Sequence, residues 1–103
     1  MKDLNIRTSD KKIVPVKVKN LTGAYGMKVF IHRDYDNPIY WAISECLTGL
    51  NCARNCKTQK EAWDKFVKSA SFNPDNNQPM IKELWIKLGA ANPEYQYPFT
   101  NNQ

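Results

Sequence analysis

One histidine and three cysteines are the side chains with which this chain could do metal or nucleophilic chemistry: His32, Cys46, Cys52 and Cys56. Together they could supply four zinc ligands, but the intervals between the cysteines do not match the paired spacing of common zinc knuckles. A cysteine nucleophile would also need a base, and His32 is the only histidine. We therefore predict no metal, no cofactor and no enzymatic activity. Buried or incidental thiols are the favoured interpretation of the cysteines, with a zinc site as the alternative.

The carboxylates give no stronger indication of a catalytic site. Asp34 and Asp36 lie beside Asn37 and Pro38 in a turn-forming cluster, where aspartate side chains commonly hydrogen-bond to nearby backbone amides. The sequence contains no glycine-rich phosphate loop, no Walker-type lysine and no metalloprotease helix motif. We expect a turn here, and the alternative is a carboxylate pair with a chemical role.

Alternating apolar residues predict the strands. The pattern indicates strands over residues 12–19, 27–33, 39–46 and 50–55. Residues 21–26 contain two glycines and are predicted as a loop, and Thr48-Gly49 is predicted as the turn of a hairpin. The rows expected to face the core are Val14/Val16/Val18, Met27/Val29/Ile31 and Ile39/Trp41/Ile43.

Two helices are predicted after the strands. Thr58 and Glu61 form a capping-box pattern, and the helix that they open is expected to end near Ser71. Pro79 suits the start of a second helix and Gly89 its end. Between them, the apolar stripe consists of Ile81, Leu84, Trp85 and Leu88.

These elements predict an α+β fold: a four-stranded antiparallel sheet in the order β-β-β-β-α-α, with two C-terminal helices packed on one face. We expect a single domain over residues 1–103, with residues 1–11 flexible and residues 92–103 an extended aromatic tail. The rings of Tyr95, Tyr97 and Phe99 in that tail are expected to pack back over the second helix. The alternative is that they anchor a partner.

The sheet face opposite the helices is the predicted binding surface for a partner or nucleic acid. Its candidate residues are Lys17, Lys19, Lys28, Phe30, His32 and Tyr40, with Ser44 beside them. Lysines interleaved with aromatic rings suit single-stranded nucleic acid, because the lysines pair with phosphates while the rings stack on bases. A protein-binding surface and an ordinary hydrated face are the alternatives.

Charge is unevenly distributed along the chain. The net charge is +5, yet residues 1–33 alone carry +6, which indicates a basic patch that would attract polyanions. The first helix supplies a secondary basic face of Lys57, Lys60 and Lys68. The i, i+4 pairs Glu61–Lys65 and Asp64–Lys68 are expected to neutralise much of it.

Residues 53–62 read Ala-Arg-Asn-Cys-Lys-Thr-Gln-Lys-Glu-Ala. This run resembles the last strand and helix start of double-stranded-RNA-binding domains, in which a Lys-Lys-x-Ala-Lys cluster meets phosphates. Here the corresponding residues are Gln59, Lys60, Glu61, Ala62 and Trp63, so the first and last lysines of that cluster are missing. The leading helix of those domains is also missing. The resemblance is local, and it assigns no family.

Three cysteines and an N-terminus without an apolar signal core favour the reducing cytoplasm, and no apolar run is long enough to span a membrane. We predict a small non-enzymatic binding protein that acts as a regulator or inhibitor by occluding a larger protein or nucleoprotein partner. A nucleic-acid-handling system is the favoured setting, and the asparagine- and lysine-rich composition favours a phage or mobile-element source. The alternative is a module that binds DNA or RNA directly. The oligomeric state is left open.

Overall fold

The computed structural model describes residues 3–69 and 76–97, which form six strands, two α-helices and one short 3-10 helix. The strands are β1 Asp3–Arg7, β2 Ile13–Lys17, β3 Asn20–Ala24, β4 Met27–Arg33, β5 Trp41–Glu45 and β6 Asn51–Cys56. The helices are α1 Gln59–Val67 and α2 Gln78–Leu88, and the 3-10 helix covers Pro93–Tyr95.

All strand pairs are antiparallel. β1 and β2 form a two-stranded sheet, and β3-β4-β5-β6 form a four-stranded sheet in chain order. The predicted α+β class with antiparallel pairing and two helices is confirmed. The predicted single sheet of four strands is wrong, because β1 and β3 are additional strands and the first two strands pair in a sheet of their own.

β3 occupies most of the segment that was predicted as a loop. Its hairpin with β4 closes through Tyr25 and Gly26, whose φ angles are 55° and 77°. Two consecutive positive φ values define the tight turn whose twist suits paired strands. A Cβ atom at Gly26 would lie 2.1 Å from Asn76 Oδ1, so glycine is required here for space as well as for backbone geometry. The glycine that suggested a loop instead makes the hairpin possible.

β1 lies within residues 1–11, the segment expected to be flexible. Leu4 and Ile6 alternate with polar neighbours and are only 2% and 6% exposed. The Asn92 amide holds the strand from its other edge: its Oδ1 accepts from Asn5 N at 2.8 Å, and its Nδ2 donates to Asn5 O at 2.9 Å and to Cys46 O at 2.7 Å. The first described strand is therefore tied to the last described segment of the chain.

Buried apolar side chains form two clusters, one on each side of the four-stranded sheet. The first cluster consists of Met27, Val29, Ile31, Ile43, Leu47, Ala53, Cys56, Ala62, Phe66, Ile81 and Tyr97. The second cluster consists of Leu4, Ile6, Val18, Phe30 and Cys46. Because β1 and β2 contribute to the second cluster, the face expected to meet solvent is covered, as in a layered domain with a central sheet.

α1 begins as predicted. Thr58 Oγ1 accepts from Glu61 N at 3.0 Å, which satisfies one amide of the first turn. The helix ends at Val67 rather than near Ser71, and Ala62 and Phe66 form its buried side. α1 packs on β5 and β6, so it covers one face of the sheet as expected.

α2 also has the predicted ends, with Pro79 in its first turn and Gly89 after its last residue. Of its apolar stripe, only Ile81 is fully buried, and Leu88 is 43% exposed. The expected packing of both helices on one face of the sheet is therefore not clearly seen.

Candidate functional site

The predicted binding face divides into buried and exposed residues. Phe30 is completely buried, and His32 and Ser44 are each only 1% exposed. The prediction that they face solvent is wrong, because the β1–β2 sheet packs over them. A strand that alternates cleanly can be buried on both faces when a second layer covers it, and alternation within β4 carries no information about that layer.

The lysines of the predicted face do reach the surface. Lys17, Lys19 and Lys28 are exposed, and Tyr40 is half-buried. Lys28 Nζ lies 5.9 Å from the centroid of the Tyr95 ring, which is within cation–π range. The structure therefore keeps the three cations exposed and separates them from the buried Phe30 ring.

Several hydrogen bonds stabilise the turn between β4 and β5. Asp34 Oδ1 accepts from Asp36 N at 3.0 Å, which is the aspartate turn expected from the sequence. Backbone bonds Asp34 N to Tyr40 O at 2.9 Å and Tyr40 N to Asn37 O at 3.0 Å close the turn. Within this hydrogen-bonded turn, the side chains of Tyr35 and Ile39 are 53% and 67% exposed. Two large apolar side chains are thus presented to solvent on an ordered turn.

Arg54 of β6 stabilises the turn through its guanidinium group. Its Nε and Nη2 donate to the two oxygens of Asp34 at 3.2 Å each, and Nη2 also donates to Asp36 Oδ2 at 2.8 Å. Burial is the largest influence on the pKa of Asp34 and raises it. The hydrogen bonds and charge of Arg54, together with backbone hydrogen bonds from Asp36 and Asn37, nevertheless leave this pKa below its ordinary value. Asp34 is therefore a charged, nearly buried anchor at the base of the turn.

Arg33 and Trp41 face each other across β4 and β5. The guanidinium carbon of Arg33 lies 3.9 Å from the centroid of the Trp41 ring, a stacked cation–π contact. Arg33 also lines a shallow groove with Lys17 and Tyr35. We call Lys17, Arg33, Tyr35, Ile39 and Trp41 the loop surface; of these only Lys17 was predicted as a binding residue. Ile39 and Trp41 were predicted to face the core, but Ile39 is exposed and Trp41 is only half-buried.

The sequence contains a pattern that indicates the residues of this surface that were not predicted. Residues 33 and 41 are equally distant from Asn37, the centre of the turn, so a hairpin places them opposite each other. An arginine opposite a tryptophan, beside an exposed tyrosine, is a combination common at protein interfaces.

A cleft of about 310 Å³ opens on the other side of Tyr35, between the β1–β2 turn and β6. Its floor is the side-chain pair of His32 and Ser44, and Arg7, Ser9, Asn51 and Arg54 are among the residues around it. This volume is at the small end of the range for small-molecule sites. The cleft therefore has the size to take a compact ligand.

The protonation of His32 follows from its contacts. Nδ1 lies 2.7 Å from the carbonyl oxygen of Arg33, which can only accept, so Nδ1 carries the proton. Nε2 then accepts from the Ser44 hydroxyl at 2.8 Å. Burial lowers the pKa of His32 below its ordinary value. The ring is accordingly neutral at neutral pH, with both nitrogens hydrogen-bonded.

The three cysteines do not converge. Cys46 belongs to the cluster under β1 and β2, whereas Cys56 belongs to the cluster under α1. Burial raises the pKa of Cys46 to about 12, with a further contribution from Glu45, and burial also raises the pKa values of Cys52 and Cys56. Across residues 3–69 and 76–97, no group of three or more potential ligands among His, Cys, Asp and Glu could hold a metal ion.

The secondary basic face of α1 has different partners from those expected. Lys57, Lys60 and Lys68 are exposed, and Lys60 Nζ pairs with Asp64 Oδ2 at 2.9 Å. Lys65 Nζ donates to the backbone oxygen of Arg54 at 2.9 Å. Among the described residues, neither predicted pair, Glu61–Lys65 or Asp64–Lys68, forms a close ion pair, because Asp64 pairs with Lys60 and Lys65 bonds to the backbone. The charge of Lys68 still contributes to lowering the pKa of Asp64.

In the part of the chain that the structure describes, no helix combines the length and the apolar composition needed to cross a bilayer. The chain matches no protein-family model, no curated protein and no solved structure. Function must therefore be argued from the surfaces themselves.

Proposed function

We propose that this chain is a small, non-enzymatic cytoplasmic binding protein that regulates or inhibits a larger protein or nucleoprotein by occluding part of its surface. The partner is proposed to belong to a nucleic-acid-handling system. The loop surface of Lys17, Arg33, Tyr35, Ile39 and Trp41 is proposed as the contact region.

The single observation that carries the proposal is the exposure of Tyr35 and Ile39 on a braced turn. Arginine, tyrosine and tryptophan dominate the energetic centres of protein interfaces, and this surface contains all three. Because Arg54 and the backbone bonds hold the turn in place, little ordering entropy would be lost on binding. An ordered, partly apolar turn is therefore a favourable anchor.

Charge indicates the kind of partner. Lys17 and Arg33 border the same groove as Tyr35, so an acidic segment beside an apolar pocket would be complementary to this surface. Such complementarity increases the association rate and selects against basic partners.

The state of the nucleophiles supports a non-enzymatic role. The pKa of Cys46 is raised to about 12, so its reactive thiolate is scarce at neutral pH. The Ser44 hydroxyl and His32 are paired, but each is only 1% exposed. Both lie on the floor of the cleft, and so small an exposed fraction leaves Ser44 Oγ with little surface for a substrate to approach.

Affinity capture with matched variants tests the proposal. Tagged wild type, Ile39→Ala and Ile86→Ala would be used as baits, because Ile39 and Ile86 are 67% and 69% exposed on different parts of the chain. We expect a purified partner identified in this way to bind wild type and Ile86→Ala alike, and to bind Ile39→Ala about tenfold more weakly. Equal binding by all three chains would exclude the loop surface.

Direct binding of DNA or RNA is the second candidate, and the groove that places Lys17 and Arg33 beside the exposed Tyr35 ring favours it. Phosphate pairing with base stacking would then make binding strongly salt-dependent. A mobility-shift assay at about 50 and 200 mM salt, with Lys17→Glu and Tyr35→Ala as variants, separates the two candidates. Absence of a shift at the lower salt concentration would reject direct binding.

A further inference from the structure

We propose that the cleft between the β1–β2 turn and β6 binds a small organic phosphate of about the size of a nucleoside monophosphate. This site lies beside the loop surface, and it does not depend on the function proposed for that surface. Some hydrogen-bonding groups around the cleft are already bonded within the chain, and others remain available to a ligand.

The available groups are mainly donors. Arg54 uses Nε and Nη2 on Asp34 and Asp36, while Arg7 donates from Nε to Thr48 O and from Nη2 to Gly89 O. The Nη1 groups of both arginines lack a hydrogen-bond partner among the described residues. The side chains of Ser9 and Asn51, both exposed at the cleft, likewise make no hydrogen bond within the described chain. Guanidinium groups suit phosphate oxygens in particular, because they offer planar, charged donors.

The acidic residues at the cleft do not create a cation site. Asp34 accepts two bonds on Oδ1 and one on Oδ2, and one oxygen of Asp36 is also bonded to Arg54. Two arginines and two aspartates give this region no net formal charge, so an anion meets no net repulsion. Three of the about four acceptor positions of Asp34 and one of those of Asp36 are occupied. The unused donors on Arg7, Arg54, Ser9 and Asn51 therefore favour an anion over a cation at this cleft.

The rest of the lining suits the organic part of such a ligand. Ala42 and Leu50 provide apolar contact, and the half-exposed Tyr35 ring stands at the edge where a base or sugar could stack. On the floor, Ser44 Oγ donates to His32 and can still accept one hydrogen bond. A volume of about 310 Å³ exceeds what a bare phosphate fills, so the whole shape fits a phosphate attached to a compact organic group.

Titration of the isotope-labelled full chain with adenosine 5′-monophosphate, ribose 5-phosphate, adenosine and inorganic phosphate tests the proposal by NMR. We expect saturable shifts of amides around Ser9, Asn51 and Arg54 with the two organic phosphates. Adenosine and inorganic phosphate should bind at least about tenfold more weakly, because each lacks part of the recognised group.

A charge-matched pair of variants at exposed positions keeps the test independent of folding. Ser9→Glu should weaken binding of the organic phosphates by about tenfold, whereas Thr22→Glu, at an exposed position outside the cleft, should leave it within about twofold of wild type. Arg54→Gln should weaken it as well. No saturable binding of either organic phosphate, equal binding of adenosine, equal binding of inorganic phosphate, or equal affinities of the Ser9→Glu and Thr22→Glu variants would each overturn the proposal.

Discussion

The Tyr97 hydroxyl donates a 2.5 Å hydrogen bond to Glu45 Oε2 across a separation of 52 residues. The Glu45 carboxylate is 1% exposed and also accepts from Leu47 N at 2.6 Å, from Thr48 N at 2.8 Å and from Thr48 Oγ1 at 2.6 Å. Such a buried carboxylate is tolerated because its oxygens are satisfied. The β5–β6 turn and the end of the described chain are therefore joined through one side chain.

Tyr97→Phe should destabilise the fold by about 1–3 kcal/mol, because it leaves the buried Glu45 carboxylate one donor short while preserving the ring. Urea unfolding measures the change. Tyr35→Phe is the matched control, since the Tyr35 ring is half-exposed, and it should shift the free energy of unfolding by no more than about 0.5 kcal/mol. Equal effects of the two variants would mean that the Glu45 contact contributes nothing.

His32 makes the stability of the fold depend on pH near neutrality. Its folded-state pKa is lowered by burial, so below pH 6.5 the unfolded chain binds a proton that the folded chain excludes. The stabilising effect is therefore complete above about pH 6.5 and is lost as the pH falls, with a slope of up to about 1.4 kcal/mol per pH unit. Unfolding curves between about pH 7.5 and 5 measure it.

His32→Gln provides the control for this dependence, because glutamine can keep hydrogen bonds to Ser44 and the Arg33 carbonyl but does not titrate. Whatever the absolute stability of this variant, its stability should be nearly flat across the same window, since His32 is the only histidine. A slope that survives the substitution would assign the pH dependence to other groups.

Several elements could be predicted because local chemistry determined them. β4 was predicted over its observed range from the alternating row Met27, Val29 and Ile31. The start of α1 follows from Thr58, and the end of α2 follows from Gly89, which has a φ of 83°. In each case the deciding interaction lies within a few residues along the chain.

The parts that could not be predicted depend on distant contacts. Leu4 and Ile6 are only two apolar residues in a polar segment, and they form a strand because β2 and Asn92 pair with it. Phe30 is buried for the same reason, since a second layer covers it. The cleft also needs that layer, because Arg7 and Ser9 reach His32 only through the β1–β2 sheet. Local periodicity cannot reveal such long-range packing.

The β1–β2 sheet should therefore contribute strongly to stability. Ile6→Ala should cost about 2–5 kcal/mol, because Ile6 is 6% exposed within the second cluster. Ile13→Ala is the matched control, since Ile13 lies in the partner strand and is 47% exposed; it should cost less than about 1 kcal/mol. Thermal or urea unfolding distinguishes them. Similar small effects would indicate a loosely attached segment, as the sequence alone suggested.

The Asp34–Arg54 pair should be strongly coupled compared with an exposed pair. The Asp34 side chain is 3% exposed, whereas those of Lys60 and Asp64 are 86% and 53% exposed at the same kind of contact. In a double-mutant cycle with Asp34→Asn and Arg54→Met, we expect a coupling energy of about 1–3 kcal/mol. The corresponding cycle for the exposed pair Lys60 and Asp64 should give a much weaker coupling.

Salt and acid distinguish the two pairs further. The Lys60–Asp64 coupling should fall in high salt, while the Asp34–Arg54 coupling should persist because solvent ions screen a nearly buried pair less. The lowered pKa of Asp34 means that its contribution is present above the ordinary aspartate value of about 3.8 and is lost as the pH falls through the lower folded-state value. Equal, salt-sensitive coupling in both cycles would show that Arg54 does not hold the turn that carries Tyr35 and Ile39. The proposal that the loop surface is rigid would then have no physical basis.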